Sequence, residues 1–204
     1  MTRLPRLYAI LDSSCFPDSE ALCRCASELV LGGVTLLQYR NKSGNAHQIL
    51  EQASELRRRL PDSVKLIMND RADLCLAASF DGVHIGQDDL SSEGARRVIG
   101  NGLWLGISTH SANQLAEADK TTANYLAIGP VFPTQSKSNP DPTIGLNGIR
   151  QARALTRKPL VAIGGIGRAN CRSVIEVGAD VVAVIYDLLL EPRKSAEEFF
   201  RILG

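Results

Sequence analysis

The sequence predicts a single α/β domain over residues 1–204, a closed (β/α)8 TIM barrel. Three observations carry this. Short, continuous apolar runs recur at 7–11, 34–39, 65–68, 82–85, 103–107, 125–132, 160–166 and 181–185. Helical apolar periodicity falls between most of them, at 19–31, 46–60, 90–99, 111–119, 146–155 and 170–177, and closes the chain at 196–203. At 204 residues, eight such units take about 25 residues each. Continuous rather than alternating apolar strands, joined by helices, mark parallel βαβ units whose strands are covered on both faces. A five- or six-stranded open sheet would leave two or three runs without a role.

The first run, LYAIL, follows Arg3 and Arg6 and looks superficially like a leader segment. It is too short, and Asp12 ends it without a small-residue cleavage site, so it reads as the first strand. No apolar stretch reaches the ~18 residues of a membrane helix; Asp187 interrupts the longest, 181–190. A composition of 44% hydrophobic and 22% charged residues is that of an ordinary soluble globule, and a net charge of +1 argues against a general nucleic-acid or membrane-surface role. Cys15, Cys23, Cys25, Cys75 and Cys171 form an odd set with no CxxC pair, expected to be free thiols in a reducing cytoplasm.

Chemistry in such a barrel sits at the C-terminal ends of the strands. After strand 2 the chain reads Gln38-Tyr39-Arg40-Asn41-Lys42. Alternation puts Gln38, Arg40 and Lys42 on one side, an arrangement suited to a polyanionic phosphate or, more simply, to a solvated strand end. Asp70 follows strand 3 and Asp89 follows strand 4. Each can cap a helix, but together, on adjacent tips, they can hold one hard cation such as Mg2+. Ser108 and His110 follow strand 5, with Ser111 placed to cap the next helix. His84 reads as a satisfied barrel histidine and His47 as a surface residue. After strand 6, residues 133–145 (PTQSKSNPDPTIG) exceed the usual βα loop of roughly 2–6 residues and carry Thr134, Gln135, Ser136 and Lys137. Gly164-Gly165-Ile166-Gly167 after strand 7, and Ile185-Tyr186 at the end of strand 8, suit either tight turns or a phosphate held by backbone N–H groups. No nucleophile elbow or dinucleotide fingerprint accompanies them.

The motifs LLQYRNK, MNDRADL, GVHIGQDDL, LGISTH, AIGPVFPTQSK and VAIGGI, in this order and over essentially the whole chain, resemble thiamine phosphate synthases. The resemblance implies a Mg2+-assisted, dissociative joining of a hydroxymethylpyrimidine diphosphate to a thiazole phosphate, with release of pyrophosphate. By the same resemblance, Gln38, Tyr39, Arg40, Asn41, Lys42 and Asn69 hold the pyrimidine diphosphate, with Ser108 and Lys137 as further contacts. Asp70 and Asp89 bind the Mg2+. Thr134, Gln135, Ser136, Gly165, Ile185 and Tyr186 hold the thiazole phosphate. Arg40, Lys42, Lys137 and Ser108 are the expected catalytic groups, and both partners are small molecules. Two positions depart from the family pattern. Ser136 replaces a common threonine and keeps the hydroxyl. Tyr186 replaces a usual serine, and either crowds the thiazole-phosphate end or supplies only its backbone N–H. Competing expectations are a metal-free thiazole tautomerase using His110, against which the acidic pair counts, and a non-catalytic phosphate-ligand binder.

Overall fold

The computed structural model describes residues 4–134 and 141–204. Strands β1 (Leu7–Asp12), β2 (Leu36–Arg40), β3 (Lys65–Asn69), β4 (Gly82–Ile85), β5 (Trp104–Thr109), β6 (Tyr125–Ile128), β7 (Leu160–Ile163) and β8 (Val181–Val184) pair in sequence order, all parallel. Pairing of β1 with β8 closes the barrel. Helices α1 (Ser19–Leu31), α2 (Ala46–Arg59), α3 (Ala72–Ala77), α4 (Ser92–Ile99), α5 (Ala112–Asp119), α6 (Gly145–Leu155), α7 (Cys171–Glu176) and α8 (Pro192–Leu203) alternate with them.

Burial on both strand faces explains the continuous apolar runs. Tyr8, Leu36, Ile67, Tyr125, Val161 and Val181 fill the barrel interior. Leu7, Leu11, Leu37, Leu66 and Met68 face outward into a second core shared with helix residues such as Leu22, Leu29, Leu56 and Phe199. Local chemistry starts the helices: Asp18 caps α1, Asn45 and Gln48 form a capping box on α2, and Ser91 and Ser111 cap α4 and α5.

The sequence pattern overran two strands. β6 stops at Ile128 because Pro130 carries no N–H for the ladder, although Val131 and Phe132 still bond along the β7 tip. β7 stops at Ile163, where Gly164 (φ 98°) and Gly165 (φ 64°) turn the chain. The helix expected from 196 begins four residues earlier, with Pro192 in its first turn. Four cysteines are buried and Cys15 is half-buried, all with free thiols. Among the described residues no helix is long and apolar enough to cross a membrane.

Candidate active site

At the C-terminal end of the barrel two cavities meet. The first, about 740 Å3, is lined by Gln38, Arg40, Lys42, Asn69, Asp70 and Asp89, over a floor that includes Ile10, Ala127 and Val161. The second, about 640 Å3, is lined by Thr134, Gly164, Gly165, Gly167, Ile185, Tyr186 and Asp187. Ser108, His110, Ile163, Ala183 and Ile185 line both.

Strand alternation brings Gln38, Arg40 and Lys42 to one cavity, as their spacing predicts. Register adds a partner the sequence did not reveal: Asp12 lies opposite Arg40 in the β1–β2 ladder. The two side chains form an ion pair, and Asp12 also accepts from the Ser14 backbone N–H at 3.0 Å and the Ser14 hydroxyl at 2.7 Å. The guanidinium is thereby oriented before any ligand arrives. Tyr39 and Asn41, which the resemblance places in the same site, turn their side chains away from this cavity. Alternation turns Tyr39 outward, where its hydroxyl donates to Gln52 on α2. Asn41 closes its own loop, accepting from the Gly44 N–H at 2.7 Å and donating to Gln52 at 3.2 Å. Neither side chain lines the cavity, so any contact they make with a ligand falls to their main chain.

The two acids do not cap helices. Arg71 occupies the cap position of α3 and Ser91 that of α4. Asp70 instead has φ 61°, a left-handed conformation uncommon outside glycine, and pairs with Lys42. Asp89 accepts from the Gly86 N–H at 2.7 Å. Their carboxyls touch across neighbouring strand tips. Burial, followed by the adjacent Asp89, pushes the Asp70 carboxyl above the usual range. Burial also pushes Asp89 upward, but hydrogen bonds from Asp70 and the Gly86 N–H, together with Lys42, outweigh it and leave Asp89 below its usual value. Beside them, the buried Asn69 Nδ2 has no hydrogen-bond partner among the described residues, a donor that a ligand in this cavity would satisfy.

The second cavity is built from closely packed loops. A Cβ on Gly165 would lie 2.5 Å from the Pro133 carbonyl oxygen and 2.7 Å from Phe132 Cβ, so glycine is needed for the β6 and β7 loops to touch. Asn170 Nδ2 donates to the Gly165 carbonyl at 3.0 Å. Arg168 ties the β7 loop to the β8 tip: its guanidinium reaches Asp187 at 2.8 Å and its backbone N–H donates to the same carboxylate at 2.6 Å. Tyr186 is 52% exposed and stands at the rim. His110 donates from Nδ1 to the Gly129 carbonyl at 2.7 Å, between the two cavities. Gln135, Ser136 and Lys137 lie outside the described residues. His84 is buried with both ring nitrogens bonded, and His47 is exposed.

Sequence reasoning did not find Asp12 or the Arg168–Asp187 clamp. Asp12 showed only as the polar end of an apolar run. Its meaning depends on which residue faces it on the next strand, and a linear sequence does not state register.

The model of the family described as thiamine monophosphate synthase matches residues 7–188. A thiamine-phosphate synthase from Koribacter versatilis is 62% identical over 204 aligned residues, covering 98% of this chain and 97% of its own. One from Chloroflexus aurantiacus is 43% identical, covering 88% and 83%. The solved structure of a thiamine phosphate pyrophosphorylase from Pyrococcus furiosus superposes with a TM-score of 0.86 at 34% identity, over 97% of this chain and 95% of that one. With the match running from the first strand to the tip of the last, the chain belongs to the thiamine monophosphate synthase family.

Proposed function

We propose that the joined cavities form thiamine phosphate from a hydroxymethylpyrimidine diphosphate and a thiazole phosphate, releasing pyrophosphate. The observation that carries this is the meeting of two differently built cavities over Ser108. One brings the cations Arg40 and Lys42 together with the neighbouring carboxylates Asp70 and Asp89 and an unpartnered amide donor on Asn69; the other is a glycine-rich loop pair.

The diphosphate takes the first cavity. Arg40, held by Asp12, and Lys42 bind its oxygens, and Asn69 Nδ2 donates to the same ligand. Ser108 and Lys137 are further contacts. The donor set supports Mg2+: two carboxylates with phosphate oxygens alongside is a common way for proteins to hold that ion. Asp70 and Asp89 would be its protein ligands, and when bound it would offset charge on the departing diphosphate. The C–O bond to the pyrimidine methylene breaks, and both electrons leave with the pyrophosphate. Arg40, Lys42 and Lys137 stabilise the developing negative charge. The electron-rich aminopyrimidine supports the methylene cation, and the thiazole nitrogen lone pair forms the new C–N bond. No protein nucleophile takes part, and none of the five cysteines lines either cavity. Thr134, Gln135, Ser136, Gly165 and the Ile185–Tyr186 backbone hold the thiazole phosphate. The apolar walls at Ile10, Ala127, Val161 and Ile163 keep water from the cation.

The deciding experiment measures pyrophosphate release with Mg2+ and each substrate omitted in turn. Release only with both present is expected. Turnover of a thiazole tautomer without Mg2+, persisting in Asp70→Ala, would instead assign a tautomerase. Saturable binding of thiazole phosphate with no pyrophosphate release would assign a binding protein.

Tyr186 gives a separate expectation. Its ring stands at the rim of the thiazole side, so Tyr186→Ser is expected to lower the KM for thiazole phosphate about threefold, the effect of relieving a crowding cost of less than about 1 kcal/mol. An unchanged KM would show that Tyr186 contributes only its backbone.

A further inference from the structure

Below the first cavity, five polar side chains cross the barrel interior in one line. Gln38 Nε2 donates to the Tyr8 hydroxyl at 2.9 Å. The Tyr8 and Tyr125 hydroxyls are 3.0 Å apart. Tyr125 Oη lies 3.1 Å from His84 Nδ1, and His84 Nε2 lies 2.8 Å from Ser108 Oγ. Gln38, Tyr8, His84 and Ser108 all line the floor of the diphosphate cavity, and the two ends, Gln38 and Ser108, are the residues expected to touch its substrate.

We propose that Tyr8, Tyr125 and His84 are positioning residues: a one-way hydrogen-bond chain starting at Gln38 holds His84 in its Nε2–H form and leaves the Ser108 hydroxyl proton free to be given to the diphosphate substrate. This rests on the function proposed above for what occupies the cavity, and deepens it.

The direction follows from counting protons. The amide nitrogen of Gln38 can only donate, so the Tyr8 oxygen accepts there and its proton goes to Tyr125. Tyr125 must then give its own proton to His84 Nδ1. The ring proton is left on Nε2, which donates to Ser108 Oγ, and the Ser108 O–H points elsewhere. In the opposite direction Tyr8 would accept from both Gln38 and Tyr125. Its proton would then have no acceptor among the described residues, at a fully buried site where that costs about 1–3 kcal/mol. A doubly protonated His84 fails in the same way, because Nδ1 would have to donate.

The backbone makes room for this line. Gly106 pairs with His84 on one side and with Tyr125 on the other, so all three share one layer. A Cβ at Gly106 would lie 2.1 Å from Tyr125 Cζ and 2.5 Å from His84 Nδ1. The Tyr125 and His84 rings close over the missing side chain, stacked at 5.5 Å with planes 24° apart, and Tyr8 meets Tyr125 edge-on at 6.0 Å.

The test reads the ring directly. In 15N-histidine-labelled wild-type protein without substrate, His84 is expected to show a protonated Nε2 and an unprotonated Nδ1, its signals assigned by their loss in His84→Gln. Tyr8→Phe, which keeps the Tyr125–His84 contact but removes the anchor of its direction, is expected to give a mixture of the two neutral ring forms. Tyr125→Phe is expected to lower kcat/KM for the pyrimidine diphosphate about fivefold to tenfold, the size of one hydrogen bond, with KM for thiazole phosphate unchanged. His84→Gln, which keeps a donor toward Ser108, is expected to retain more activity than His84→Leu. An Nδ1–H ring in the wild type, or Tyr8→Phe with an unaltered ring form and Tyr125→Phe with unaltered kcat/KM, would overturn the proposal. Wild-type protein that turned over nothing would remove the function reading, and with it the role given to Ser108; the ring spectra, which need no substrate, still decide the direction of the chain.

Discussion

Asp70→Asn is expected to lower kcat by about 10^2–10^3-fold, because its carboxylate is a proposed ligand of the Mg2+ that would offset charge on the departing diphosphate. The carboxamide keeps the shape of the side chain, and asparagine tolerates the left-handed backbone at φ 61°. What disappears is the negative charge that faces Asp89 and pairs with Lys42. Asp70→Ala loses the same charge and adds backbone strain of about 1 kcal/mol, so it should be at least as inactive and less stable. Added Mg2+ is expected to recover little in either variant, because Lys42 has also lost its partner. Steady-state pyrophosphate release across a Mg2+ series makes the measurement. Near-wild-type rates in Asp70→Asn would remove Asp70 from the proposed metal shell, and a loss confined to Asp70→Ala would assign its importance to the backbone.

The second large effect is on stability. Gly106→Ala places a methyl group 2.1 Å from Tyr125 Cζ and 2.4 Å from its hydroxyl. Tyr125 has no exposed surface, and its ring is held between Tyr8 and His84, so it cannot swing aside. Overpacking of this kind costs about 3 kcal/mol. For a chain of this size that lowers Tm by about 6–12 °C. Thermal unfolding followed by circular dichroism checks it; a shift under about 2 °C would mean that the layer has slack which the packing does not show.

Much of the fold was legible because its signals are local. A parallel barrel buries both faces of every strand, so each strand is written as an unbroken apolar run. The two overrun strands show the limit of that signal. Val131 and Phe132 are apolar because their side chains pack into the outer core, while their N–H groups bond to the β7 tip beyond the β6 ladder. The short helix α3, six residues, carries too few turns to show a period. At the site, placing Gln38, Arg40 and Lys42 on one side needed only alternation. The same rule applied to Tyr39 and Asn41 turns them away from the cavity, a consequence that the motif as a whole obscured.

By itself, the sequence determined the number of strand–helix units, the strand tips on which polar chemistry is carried, and the family to which the chain belongs. These depend on side-chain period and residue type, which are properties of neighbours along the chain. Only the tertiary structure decided that Asp12 holds Arg40, that Asp70 and Asp89 face each other instead of capping helices, and that Gly106 opens a slot for Tyr125 and His84. Each of these is a contact across strands, and its existence depends on register and shear. A shift of one residue would send the strand side chains of Asp12, His84 and Tyr125 to the other face of the sheet.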